Sequence, residues 1–167
     1  MKKPVSLLLL TLSAIGAVVI LGRNDATSEE KKDDHAHGAA VMTLPTGPTK
    51  RPEDAKLYII SPKDGATVKQ NFTVRFGLKG MGVAPAGIYM SDEMPTGHHH
   101  LMIDSDLPDM KLPLPKDETH LHFGGGQTET KLTLTPGKHT LQLVLGDHAH
   151  MPHDPPLVSD KITITVE

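Results

Sequence analysis

Leu57-Tyr58-Ile59-Ile60-Ser61-Pro62-Lys63-Asp64-Gly65 leads, a few residues on, into Phe72-Thr73-Val74-Arg75-Phe76-Gly77-Leu78. This stretch decides the fold class. The first four residues form a short apolar run, and Pro62 and Gly65 sit where a tight bend needs them. Phe72, Val74, Phe76 and Leu78 then alternate with Thr73, Arg75 and Gly77, the period-two pattern of a half-buried strand.

C-terminal to this hairpin-like opening the same texture recurs. Lys79 to Gly97 is rich in Gly, Pro and Met and reads as a long loop, with room for a short strand at Gly87–Met90. His99, Leu101 and Ile103 share one face of the next strand, with His98, His100, Met102 and Asp104 on the other. Ser105 to Thr119 carries acids and prolines and reads as a loop. Thr130–Leu134 forms another strand, Pro136-Gly137 turns the chain, and Leu141, Leu143 and Leu145 alternate down the strand that follows. Ile162, Ile164 and Val166 close the sequence. No stretch after residue 24 keeps a helical period over two turns. Short strands separated by turn signals predict an all-β fold, an immunoglobulin-like antiparallel β-sandwich of about seven strands.

On the N-terminal side, residues 25–55 read as a flexible linker: charged from Asn24 to Asp34, small and polar through His35-Ala36-His37, then broken by Pro45, Pro48 and Pro52. Ahead of it, Lys2 and Lys3 precede an apolar run from Val5 to Gly22. Residues 1–24 therefore read as a signal peptide or, if uncleaved, an N-terminal anchor long enough to span a bilayer. Either reading exports the domain expected over 56–167 to a periplasmic or other extracytoplasmic space. Membrane contact is expected only through an uncleaved N-terminal segment.

The formal charge of −3 becomes −6 once Lys2, Lys3 and Arg23 leave with the first 24 residues. A mildly acidic chain without a basic stripe argues against a nucleic-acid partner. The chain has no cysteine, which excludes disulfides, thiolate zinc sites and a lipoprotein anchor.

Nine of the eleven histidines fall between Thr96 and Asp154, in three knots at 98–100, 120–122 and 148–153, with His139 alone between the last two. His-x-His on a strand sets two imidazoles on one face roughly 6 to 7 Å apart, close enough to converge on one ion. His98/His100 and His120/His122 have that spacing. His148/His150 repeats it in a loop, with Met151 and His153 beside it. If Gly87–Met90 is not a full sandwich strand, the alternation of strands brings all three knots to one end of the sandwich; if it is, the first knot lies at the opposite end. The candidate metal ligands are thus His98, His100, His120, His122, His148, His150, Met151 and His153. His99 points with Leu101 and Ile103 and reads as packing, and His139 reads as a partly buried strand histidine. Asp147 and Asp154 read as turn caps or as acceptors that orient a liganding imidazole.

Imidazole suits copper and zinc, and thioether suits Cu(I). Histidine with methionine, no cysteine and export points first to copper and next to zinc. Two other readings stay open: a non-catalytic cell-envelope interaction domain whose histidines are structural or sense pH, and a metal-dependent enzyme. No Gly-x-Ser-x-Gly or His-Glu-x-x-His motif is present, and Gly124-Gly125-Gly126 lacks the strand-to-helix setting of a phosphate loop.

Two resemblances add to this. The turn Ser61-Pro62-Lys63-Asp64-Gly65-Ala66-Thr67-Val68 and its flanking strands resemble the opening of many bacterial immunoglobulin-like domains, which implies a fold and no activity. The segments 96–104 (TGHHHLMID), 120–129 (HLHFGGGQTE), 136–143 (PGKHTLQL) and 146–156 (GDHAHMPHDPP) resemble a bacterial family of small exported proteins catalogued as a domain of unknown function. The resemblance spans roughly residues 80–166 and implies an exported single-domain protein, with no activity or ligand attached.

Overall fold

The structure, a computed structural model, describes residues 43–167. The expected signal or anchor and most of the expected linker, with His35 and His37, lie outside the described residues. Among the described residues there is no helix; nine strands run β1 (Lys56–Ser61), β2 (Thr67–Val68), β3 (Asn71–Lys79), β4 (Gly82–Val83), β5 (Thr96–Ile103), β6 (His120–His122), β7 (Glu129–Thr133), β8 (Gly137–Gly146) and β9 (Ile162–Val166). The fold is all-β, as the alternation predicts. Six of the nine strands are longer than three residues and were each visible in the sequence. The short β2 and β4 were not assigned as strands, β6 was anticipated only through the His-x-His spacing of His120 and His122, and Gly87–Met90 is not a strand.

Two sheets pack face to face. The smaller has the order β1-β3-β7; the larger runs β2-β9-β8-β5, with β4 and β6 both on the far edge of β5. Most pairings are antiparallel, but β2 runs parallel to β9 and β4 parallel to β5. Between the sheets, Leu57, Ile59, Val74 and Phe76 from one face meet Leu101, Ile103, Leu141, Leu143, Leu145, Ile162, Ile164 and Val166 from the other. Leu101, Leu141, Leu143, Leu145 and Ile164 are wholly buried, each worth about 1.5–3 kcal/mol relative to exposure.

The larger sheet is also covered on its outer face, which accounts for β5 being buried on both sides. Met102 and Val144 point outward there and pack beneath Leu114 and beside Met110 and Val158. The covering loops are 104–119 and 147–158, pinned by Leu114 N donating to the His150 carbonyl at 2.8 Å and Asp147 N donating to the Met151 carbonyl at 2.8 Å. This outer layer is what makes a buried polar site possible on a sheet face.

Packed structure also reaches back before Lys56. Ala55 joins the core, and Thr49 is buried against the loop after β8.

Candidate metal centre

Strand alternation sends His98 and His100 to the outer face of β5 and His99 to the core, as expected. His99 stacks on Phe76 with ring centroids 5.1 Å apart. Its Nδ1–H donates to the Gln127 carbonyl at 3.2 Å, and burial pushes its midpoint down to about 4. It is a core residue.

On the outer face, β6 pairs with β5 in the register His100↔His122, Leu101↔Leu121, Met102↔His120. Directly paired residues share a face, so His122 stands beside His100. On the other side of β5, His98 pairs with Gly146, the last residue of β8. The chain then turns through Asp147–His148–Ala149 and returns with His150 in the left-handed region at φ 65°. His150 N donates to the Asp147 carbonyl at 3.0 Å. A non-glycine residue held there is a local strain, and here it aims a ring at the sheet face.

Four imidazoles therefore meet. Ring centroids stand 5.0 Å apart for His98–His100, His98–His122 and His100–His122, 4.9 Å for His98–His150 and 4.8 Å for His122–His150. His100 and His150 lie across the group at 6.2 Å. The Nε2 atoms of His98 and His100 are 3.1 Å apart, as are those of His122 and His150. His98, His100 and His122 present nitrogens all within 4.8 Å of one another, a set able to hold a metal ion.

An ion bound at about 2.0–2.1 Å would place its nitrogens about 2.9 Å apart in a square and about 3.3 Å apart in a tetrahedron. The two 3.1 Å pairs fall between these values. His98 and His100 are fully buried, and the Nδ1 atoms of both have no hydrogen-bond partner. Each unpartnered buried nitrogen costs about 1–3 kcal/mol, and ligation through Nε2 leaves that cost at Nδ1 in place. Burial, then the neighbouring imidazoles, lowers His98 to about 4 and His100 to about 3, and burial also lowers His122. His98, His100 and His122 are held neutral at neutral pH, the form a metal requires.

Two glycines make the space beside the rings. A Cβ on Gly124 would stand 2.2 Å from His122 Cε1 and one on Gly146 would stand 3.1 Å from His100 Nε2, whereas one on Gly97 would meet the Gly146 carbonyl at 2.7 Å and His153 Nε2 at 2.8 Å. None of the three has a positive φ, so glycine is there for room. The sequence reading missed them; for Gly124 the available signal was its place two residues after His122 of a strand pair.

The other candidates lie apart from this group. His120 shares the sheet face but sits at the far end of β6, where its Nδ1 meets Asp117 at 2.9 Å. His148 packs its ring on Tyr89 at 5.4 Å. His153 is buried, with Nδ1–H donating to the Thr49 carbonyl at 3.2 Å and its Nε2 unpartnered against Gly97. Met151 lines a cavity of about 400 Å³ with Pro48, Met110 and His153. Asp147 orients no ring directly: it accepts from Ala149 N at 2.8 Å, Met151 N at 3.0 Å and Thr49 N at 3.2 Å, and so fixes the turn. Thr49, from the stretch expected to be linker, was not foreseen. His139 holds Asp104 at 2.6 Å and the Thr135 carbonyl at 2.8 Å, both as a donor, which raises its midpoint.

Residues 74–167 match the profile of the domain of unknown function DUF4399, more than half of the chain. The chain belongs to the DUF4399 family. The match begins within β3 and takes in β5, β6 and the loop after β8, so the whole imidazole group is DUF4399 sequence. Comparison with curated proteins returns no match. Among solved structures, the endo-beta-1,4-mannanase from Thermotoga petrophila is similar at 16% identity and a TM-score of 0.41, over 68% of this chain and 20% of that one. This DUF4399 chain thus spans about a fifth of that enzyme's length.

Proposed function

We propose that this protein is an exported metal-binding protein that holds a copper ion through His98, His100, His122 and His150 and serves copper storage, buffering or delivery in the periplasm. The observation that carries the reading is the convergence of four imidazoles from three separated segments, two of them fully buried, on the covered face of a sheet. For a given set of nitrogen donors copper(II) is bound more tightly than zinc, which places copper first. Zinc is second, since four imidazoles also suit a closed tetrahedral site. Export is supported by Lys2, Lys3 and the apolar run from Val5 to Gly22.

A second reading has its own observation. Each 3.1 Å Nε2 pair also fits one ring's N–H donating to its neighbour, which would make the group a structural network in an interaction domain of the cell envelope. The two readings separate in one experiment. The untagged protein, stripped with a chelator and titrated with Cu(II) and Zn(II), takes up one equivalent tightly if the imidazoles are a metal site. The His98→Ala/His100→Ala double variant then loses that equivalent. Failure of the native protein to bind a stoichiometric ion would overturn the metal reading and leave the network.

A further inference from the structure

Outside the imidazole group, the chain between β3 and β5 folds into a cleft of about 510 Å³ lined by Met81, Met90, Met94, Glu93, Thr96 and Gly82, among others. Three of the chain's eight methionines face one cavity. Packing accounts for only one of them. Met81 is half-buried and rests against the core, whereas Met90 and Met94 are 41% and 58% exposed. Methionine is normally used to fill irregular gaps in an interior, and two exposed thioethers beside a third on an open cleft fill none. The chain has no cysteine, so thioether is its only sulfur donor. Soft thioethers select Cu(I) over the divalent ions that imidazole takes. The carboxylate of Glu93 adds a negative group to the same wall.

We propose that the cleft walled by Met81, Met90 and Met94 is a second metal site, taking a soft monovalent cation of the Cu(I) class through the three sulfurs. Thr96, part of this wall, precedes His98 by two residues on β5, a distance of about 7 Å along a strand. The molecule then carries a soft-donor site beside the start of β5 and an imidazole site on its outer face, each matched to a different class of ion. The thioether site stands whether or not the imidazoles bind metal, because it shares no ligand with them.

The test uses the full protein with 13C-labelled methionine methyls, titrated with Ag(I) as a redox-inert probe of Cu(I) chemistry. The Met81, Met90 and Met94 methyl signals shift together and saturate at one equivalent, while those of Met102, Met110 and Met151 stay in place. The same shifts appear in the His98→Ala/His100→Ala variant. In the Met81→Leu/Met90→Leu/Met94→Leu variant, whose side-chain volumes are nearly conserved, made in the His98→Ala/His100→Ala background, competition against a chromogenic Cu(I) chelator shows affinity weakened by more than about tenfold, since disturbing a ligand's supporting contacts alone commonly costs about 10–100-fold. A thermal melt of that variant, matching its parent protein, shows that the fold is intact. Three unmoved methyls, shifts at Met102, Met110 or Met151 instead, or undiminished Cu(I) affinity in the leucine variant would each overturn the proposal.

Discussion

The ring of His122 lies over Gly124 so closely that a Cβ at Gly124 would stand 2.2 Å from its Cε1 and 2.5 Å from its Nε2. The atoms met are the far end of the side chain, so a methyl there displaces the ring rather than the backbone. His122 Nε2 is the atom that stands 3.1 Å from His150 Nε2. Gly124→Ala is therefore expected to lower metal affinity by about 10–100-fold, as disturbing a ligand's support commonly does, with a much smaller effect on stability. Isothermal titration of the variant beside a thermal melt checks both; unchanged affinity would mean that His122 is not a ligand.

His100 and His120 are two residues of the same sheet face with opposite expected outcomes. His100 is fully buried within the group, whereas His120 turns to Asp117. His100→Ala is expected to cost more than about 100-fold in affinity, beyond the usual price of a supporting contact. His120→Ala is expected to leave affinity where it was. Competition against a chelator of known affinity reads both, and equal losses in the two variants would contradict the register His100↔His122.

How much of this was legible follows from what each periodicity encodes. Alternation in Phe72–Leu78, His99–Ile103 and Leu141–Leu145 reports burial by face, and it assigned the long strands and sent His98 and His100 away from His99. It says nothing of pairing partners. The second knot is β6, hydrogen-bonded beside β5, so the histidines meet on a sheet face rather than at one end of the sandwich. Nor does local sequence reveal that a left-handed His150 returns to His98 across Gly146, or that Thr49 packs on Asp147 from 98 residues away. Both depend on contacts distant in sequence. His120 has the same His-x-His spacing as the true cluster members and was set apart by one nearby carboxylate.

Acid should destabilise the fold steeply. Burial lowers His98 and His99 to about 4 and His100 to about 3 in the folded state, against about 6.5 in the unfolded chain. Between those values the unfolded chain binds more protons than the folded one, so stability is fully present above about pH 6.5 and is lost as pH falls toward 4. Each ring contributes a slope of up to about 1.4 kcal/mol per pH unit, and three together up to about 4. His139 opposes this: its raised midpoint adds stability below about 6.5 that is lost as pH rises through the folded value. One raised ring does not offset three lowered ones. Thermal melts at pH 7.5, 6.5 and 5.5 should show little change over the first step and a clear drop over the second. For the same reason metal affinity should hold to a lower pH than the range of about 7 to 5 expected of ordinary histidines. A melting temperature level to pH 5 would contradict the burial of these rings.

Asp147 is fully buried, and its carboxylate accepts three backbone N–H groups: Ala149 and Met151 on one oxygen, Thr49 on the other. Its own carbonyl accepts from His150 N. One residue thus closes the turn that holds His150 at φ 65° and ties Thr49, with its contact to His153, onto the domain. Asp147→Ala strips three buried donors of their partner at once. Each orphaned group costs about 1–3 kcal/mol, and opening of the loop to water recovers part of it, so a net loss on the order of 3 kcal/mol is expected. The loss should be local as well as global, because the core between the sheets contains none of these atoms. Hydrogen exchange should therefore show the amides of Ala149 and Met151 losing protection while those of Leu141 and Leu143 keep theirs under native conditions. Metal affinity should fall with it, since an untethered His150 has no reason to leave the common backbone regions. Retained protection at Ala149 and Met151 would show that the turn is held by something other than this carboxylate.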